Sequence, residues 1–387
     1  MKWENKGKEF KKIGQCFEKV KRIYIYGAAG LGVQMAKSLS ISDVEVKFVD
    51  ADVNKQRVGV CGIDVVAPSK LIDENKKESL VILALPKTAE AIVTKKLVLY
   101  GFSIGENLFD IHIFRELYFP VFLSYHDEIT YLNIVDISLT QICNLRCKDC
   151  SILTPYIDKP KHRELEKVLK DIDVLFEVVD YVENLYLIVG EPLMYPYIYQ
   201  VCEYIGKTYR HKMHNFAIAT NGLILMHDDL IEIARKHNIS FQVSDYSKFL
   251  TACKEKVGKF VAQLETSGVE YLRMVDMDWC DYGFHTKKEL EVGSEELINF
   301  FNDCAIDCKG IEDGQLYYCF PAMMVQKVLG EAYQDKGFDL SQMNEERKRE
   351  ILEFSLGYSD KGYLEVCRRC NGCYRVNKTI IPVAEQL

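Results

Sequence analysis

Short apolar runs that end in glycine, aspartate or asparagine alternate along most of the chain with longer segments whose apolar positions recur every three to four residues. Residues 22–27 (Arg-Ile-Tyr-Ile-Tyr-Gly) read as a buried strand ending in a glycine turn, and residues 30–40 have helical spacing. Residues 44–49 form a second strand that stops at Asp50, residues 80–85 a third, and residues 88–100 suit a helix. This alternation predicts a parallel α/β domain over residues 1–115. Residues 111–130, rich in aromatic and aliphatic side chains, read as a connection.

A second alternation begins near Tyr131. Strands are predicted at 132–139, 184–189, 215–220, 239–244 and 269–275, with helices at 163–180, 196–209, 227–237 and 248–267. Repeated strand–helix units over residues 125–300 fit a full or partial parallel β/α barrel, with a partial (β/α)6 TIM-type barrel as the expected form and function at the C-terminal strand ends. Over residues 301–387 the pattern changes to short cysteine-bearing elements, with a charged helix at about 343–356.

A chain of 387 residues exceeds the size at which one core keeps growing, which agrees with more than one domain. The formal net charge of −8 disfavours a nucleic acid or an anionic membrane as partner. The first residues lack the apolar run of a signal peptide, and no uncharged stretch is long enough to span a bilayer, so the expected location is the cytoplasm. There, clustered cysteines bind metal or do chemistry rather than pair. Of 14 cysteines, three crowd into 143–150, three into 304–319 and three into 367–373. Cys16, Cys61, Cys202 and Cys253 stand alone and read as small buried apolar residues.

The first predicted barrel strand runs directly into Cys143-Asn-Leu-Arg-Cys147-Lys-Asp-Cys150, a C-x₃-C-x₂-C loop. Three thiolates on one loop can hold three irons of a [4Fe–4S] cluster and leave the fourth iron open to a small molecule. Structural zinc sites more often use paired C-x₂-C knuckles and four ligands.

On these residues the chain resembles the radical S-adenosylmethionine (SAM) superfamily over roughly residues 125–330. That resemblance implies that the open iron chelates the amino and carboxylate groups of SAM. One electron then cleaves the sulfonium to methionine and a 5′-deoxyadenosyl radical, which abstracts hydrogen from a substrate. Flavodoxin or ferredoxin would supply the electron. Val189-Gly190-Glu191-Pro192 is similar to the family's Gly-Gly-Glu-Pro segment, which implies that Gly190, Glu191 and Pro192 hold the SAM amino group; Val189 replaces the first glycine. Ala219-Thr220-Asn221-Gly222 resembles the ribose-contacting segment, through Thr220 and Asn221, and Ser244 and Asp245, followed by Tyr246, would add polar contacts. Asp276, Asp278, Trp279, Cys280 and Tyr282 follow the fifth strand, and Cys280 is the candidate radical-quenching thiol.

Cys304, Cys308, Cys319, Cys367, Cys370 and Cys373 resemble the auxiliary-cluster extension called SPASM, or the shorter twitch. The Asp313-Gly314 pair reads as a hairpin turn that brings Cys308 and Cys319 near each other. Six cysteines suffice for one four-ligand [4Fe–4S] cluster; a zinc ribbon has compatible spacing. In the first domain, Gly27, Gly30, Gly32 and Asp50 fit a dinucleotide-binding turn, except that Ala29 stands at the second fingerprint glycine. A tight turn packing a helix on a sheet explains the same glycines. This domain resembles the Rossmann-like domains of bacterial sugar-modifying proteins. Together these resemblances imply a radical SAM enzyme that oxidises a carbohydrate or nucleotide sugar. The alternatives are peptide maturation, a non-catalytic iron–sulfur redox or sensor module, and, least favoured because of Ala29, an NAD-dependent dehydrogenase.

Overall fold

The computed structural model describes residues 1–284, 289, 292–304, 306–342, 344–373 and 375–387, and divides the chain into two compact units. The unit spanning Gly7–Thr130 is built on five parallel strands: β1 (Arg22–Tyr26), β2 (Glu45–Val49), β3 (Val65–Val66), β4 (Ser79–Leu83) and β5 (Leu108–Asp110), in the order β3-β2-β1-β4-β5. Strands covered on both faces read as unbroken apolar runs, and Ile23, Tyr24, Ile25 and residues 80–82 are fully buried. The two- and three-residue strands β3 and β5 are too short to leave a periodic signal. Residues 111–130 are not a bare connection. They coil into consecutive helical segments, Ile111–Ile113, Phe114–Tyr118 and Phe119–His126. Phe114 and Phe122 are buried in an aromatic cluster with Phe17 and Phe109, with ring centroids 5.6 Å apart for Phe17–Phe122 and for Phe109–Phe114.

The second unit comprises Met1–Lys6 and Tyr131–Leu387. Its first residues are tied in by Trp3, whose Nε1 donates to Glu353 Oε2 at 2.8 Å. Parallel strands β6 (Tyr131–Ser138), β7 (Tyr181–Ile188), β8 (Met213–Thr220), β9 (Ile239–Ser244) and β10 (Tyr271–Met274) pair in sequence order. Helices Leu165–Val178, Ile198–Thr208, Asp228–His237 and Lys254–Ser267 connect them. Their apolar stripes close one core with the outward residues of the strands, among them Val135, Leu185, Phe216 and Phe241 against Ile172, Val201, Leu230 and Phe260.

Next come β11 (Trp279–Cys280), β12 (Lys309–Glu312), β13 (Gln315–Tyr317), β14 (Phe338–Asp339) and β15 (Ile380–Ile381). Among the described residues, six strands of this sheet run parallel, but the sixth is β12, which pairs with β6 on the side away from β10, with β13 and β14 beyond it. The reason is visible in the β12–β13 turn. Asp313 and Gly314 both have positive φ, and their N–H groups donate to the Asp171 carboxylate at 3.1 and 2.8 Å, which pins the hairpin to the helix after β6. The charged helix runs Glu345–Ser355, capped by Asn344; position 343 lies outside the described residues.

Of the lone cysteines, Cys202 and Cys253 are buried as expected, whereas Cys16 and Cys61 are exposed, Cys61 in a turn at φ +51. Among the described residues no helix is long and apolar enough to cross a membrane.

Asp136, inside β6, has its carboxyl pushed up to about 7 by burial, opposed by a hydrogen bond with Cys308 and by the Lys309 charge. The folded state therefore favours the protonated acid. The associated stability is present below the usual carboxylate range and is lost as pH rises through about 7. An Asp136→Asn chain should lose most of this decline, which amounts to roughly 3 kcal/mol between pH 5 and 8 at 1.36 kcal/mol per pKa unit. Denaturation at both pH values checks it; an unchanged pH slope would refute the assignment.

Candidate active site

The C-terminal ends of β6 to β9 open into one cavity of about 300 Å³. Cys143, Cys147 and Cys150 line it, together with Val189 and Gly190 after β7, Thr220 and Asn221 at the end of β8, Ser244 and Tyr246 at the end of β9, and residues 278–280 and Tyr282. Parallel strands put all their crossover turns on one side, so segments far apart in sequence meet there.

The cysteine loop is bound to the strand ends. Asn221 Nδ2 donates to Asn144 Oδ1 at 2.6 Å, and Leu145 N donates to Cys143 Sγ at 3.5 Å. Cys150 Sγ contacts Thr154 Oγ1 at 3.7 Å. Burial pushes the Cys143 thiol up to about 12, with Cys147 and Cys150 adding to it, and the Cys147 thiol up to about 11, with Cys150 adding to it. Three neighbouring thiolates on this loop therefore require a cationic group among them, which the irons of a cluster provide. The donor set fits such a group.

Gly190 has φ +60, and a Cβ there would lie 2.3 Å from the Ile142 carbonyl oxygen, so glycine is required where the β7 turn touches the cysteine loop. Val189, in the place of a glycine, has φ +83, a strained conformation for a β-branched residue, and is held by packing on Phe320, Met323 and Met324.

Two carboxylates face the chain rather than the cavity. Glu191 is 1% exposed; its Oε1 accepts from Thr220 Oγ1 at 2.7 Å and Leu193 N at 3.1 Å, and its Oε2 from Asn221 N at 2.9 Å. Burial raises its carboxyl above the usual range against these three bonds. It braces β7 against β8, and neither it nor Pro192 is among the cavity-lining residues. Asp245 accepts from Ser247 N and from Arg273 Nε, both at 2.8 Å, while its neighbours Ser244 and Tyr246 line the cavity. Burial alone would raise Asp245, but these partners hold it below the ordinary range. Tyr246 stands edge-on to Trp279, ring centroids 5.7 Å apart. Cys280 is buried on the cavity wall in β11.

A second, smaller cavity, about 30 Å³, is lined by Cys304, Cys319, Cys367, Cys370 and Cys373. Cys308 is absent from its wall. Although the hairpin brings Cys308 and Cys319 together through Phe320 N donating to Cys308 O at 2.9 Å, the Cys308 side chain turns toward Asp136 and the Phe320–Met323 cluster. Burial pushes the Cys319 and Cys367 thiols up, and their cysteine neighbours add to it, so this donor set too fits a cationic group. Tyr282 lines both cavities, and its hydroxyl donates to Cys373 Sγ at 3.6 Å. Among the described residues, no three metal-ligating side chains converge as around a single ion.

In the other unit, the glycine turn is accounted for by packing. A Cβ at Gly32 would lie 2.0 Å from the Gly27 carbonyl oxygen, and one at Gly27 (φ +115) 2.4 Å from that of Ala84. Gly30 faces open space. Asp50 accepts from Ala28 N at 3.3 Å, Asp52 N at 3.0 Å and Lys55 Nζ at 2.7 Å, so the acid expected to meet a ribose is engaged by its own turn.

The model of the Radical SAM superfamily matches residues 137–262. No protein of curated function matches the sequence. Thirteen chains of known structure match it. One is BtrN in complex with AdoMet and 2-DOIA, at 15% identity and TM-score 0.40, covering 66% of this chain and 98% of that one. Another is native anSMEcpe with bound AdoMet and the Cp18Cys peptide, at 11% identity and TM-score 0.41, covering 63% and 89%. A third is Streptococcus suis SuiB bound to precursor peptide SuiA, at 12% identity and TM-score 0.30, covering 63% and 46%.

Proposed function

Because residues 137–262 carry a radical SAM domain, we propose that Cys143, Cys147 and Cys150 hold its [4Fe–4S] cluster, and that the chain abstracts hydrogen from a carbohydrate and oxidises it. The observation that carries this reading is the single cavity joining three thiols to the ends of four successive strands. When bound, the cluster and SAM together supply methionine and a 5′-deoxyadenosyl radical. The chain's own residues do the rest. Gly190 lets the β7 turn approach the ligand, Thr220, Asn221 and Ser244 offer polar contacts, and Tyr246 and Trp279 wall the cavity.

Net oxidation requires an acceptor for the electron of the substrate radical. The second cavity supplies a place for one: four of Cys304, Cys319, Cys367, Cys370 and Cys373 would hold an auxiliary [4Fe–4S] cluster. Substrate class follows from charge. Among the described lining residues of the first cavity, the charged side chains are Asp149 and Asp278, which suit a neutral or amine-bearing carbohydrate better than a nucleotide diphosphate.

Anaerobic incubation with SAM and dithionite should yield 5′-deoxyadenosine, accelerated by a carbohydrate whose deuterium appears in that product. No 5′-deoxyadenosine from fully reconstituted protein would refute the reading, and acceleration by peptides alone would refute the substrate class. Iron content tests the second site. The chain should carry about eight irons, Cys319→Ser about four, and Cys308→Ser about eight, reasoning from one four-iron cluster per site. Loss of iron from Cys308→Ser would overturn the ligand assignment.

A further inference from the structure

Residues 379–387 lie along the cysteine loop. Ile380 and Ile381 pair antiparallel with β11. Beyond them, Lys148 N donates to Glu385 O at 2.7 Å and Leu387 N to Arg146 O at 2.9 Å, a short ladder against the loop itself. Val383 and Ala384 are buried against Leu145, Cys147, Tyr246 and Trp279. Ala384 has φ +55, and this left-handed residue turns the chain so that Gln386 faces Cys147.

The Gln386 amide has three contacts. Its Oε1 accepts from Arg146 N at 2.8 Å, and its Nε2 donates to Ala384 O at 2.7 Å and to Cys147 Sγ at 3.3 Å. The first two fix its orientation, since a flipped amide would set donor against donor and acceptor against acceptor. The group aimed at Cys147 is therefore an N–H. The contacts on the other two thiols are longer: 3.5 Å from Leu145 N and 3.9 Å from Asn221 Nδ2 on Cys143, and 3.7 Å between Cys150 Sγ and Thr154 Oγ1.

We propose that Gln386 is a positioning residue of the catalytic cluster site, and that its N–H···S hydrogen bond to Cys147 raises the cluster's reduction potential, so that the electron donor reduces it more readily. The proposal rests on the assignment of Cys147 as a cluster ligand. A donor on a ligand sulfur draws charge from it and favours the more negative, reduced state, and hydrogen bonds to the sulfurs are among the levers that set such potentials. The strand-like segment around Gln386 also covers Cys147 from water.

The test is a redox titration of the anaerobically reconstituted full chain, following the electron paramagnetic resonance signal that responds to SAM. Gln386→Leu keeps the bulk and removes the donor; its midpoint should move to more negative values with iron content unchanged. Gln386→Glu keeps the length, replaces the donor with a carboxylate and should move the midpoint further in the same direction. A wild-type midpoint in Gln386→Leu at full iron content overturns the proposal. If Gln386→Leu fails to hold the cluster, a wild-type midpoint in Gln386→Glu overturns it equally. Failure of the underlying assignment looks different: Cys147→Ala would then keep its SAM-responsive signal, whatever Gln386 does.

Discussion

A Cys147→Ala chain is expected to form no 5′-deoxyadenosine from SAM under dithionite, a loss of at least ~1000-fold against the unaltered chain, because a cluster held by three thiolates does not keep its open iron on two. The change is small in packing terms. Cys147 is 8% exposed among Leu145, Val383 and Ala384, and alanine keeps the Cβ contacts of that pocket. Stability should therefore fall by only about 1 kcal/mol, and thermal unfolding can separate lost chemistry from lost fold. Iron analysis completes the measurement: about four irons should leave the catalytic site while the auxiliary site stays loaded. Retained cleavage would show that another group of cysteines carries the chemistry.

The second large effect is expected at Glu191. Glu191→Ala leaves Thr220 Oγ1, Asn221 N and Leu193 N without their shared acceptor in a region closed to water. At about 1–3 kcal/mol per orphaned buried donor, partly relieved by relaxation, the loss should be roughly 3–5 kcal/mol. Glu191→Gln should cost less, about 1–3 kcal/mol, because its amide N–H must oppose at least one of the three donors. Both changes loosen the turns that present Gly190, Thr220 and Asn221 to the cavity, so SAM affinity should fall at least tenfold, while the cysteine loop keeps its iron. Equilibrium SAM binding on iron-loaded protein reads this directly. Unchanged SAM affinity in Glu191→Ala would mean that the brace has no bearing on the site.

The parallel strands were legible because buried parallel strands are continuous apolar runs that stop at polar or glycine turns, as at Asp50, Gly190 and Asn221. The short strands β3, β5 and β11 to β15 have no such run, and of them only the Asp313-Gly314 turn between β12 and β13 is legible. Residues 111–130 read as a connection yet form helices, because an apolar, aromatic-rich stretch has the same composition whether it links units or packs into one. Among cavity-lining residues, Gly190, Thr220, Asn221 and Ser244 stand where the sequence puts strand ends. The direction of Glu191 and Asp245 could not, because a carboxylate beside a turn meets either a ligand or the backbone donors of its neighbours, and only the partner's position decides.

By itself, the amino-acid sequence determined the two alternating α/β segments and the three-thiol loop, because strand periodicity and ligand spacing are local properties of a chain. Tertiary structure alone decided three things. It set the sixth parallel strand beside β6 through Asp171, it gathered five cysteines around one cavity while turning Cys308 toward Asp136, and it brought Gln386 to Cys147 across 239 positions. Each depends on which surfaces meet when the apolar faces close, and contacts at such separations leave no period or spacing to read.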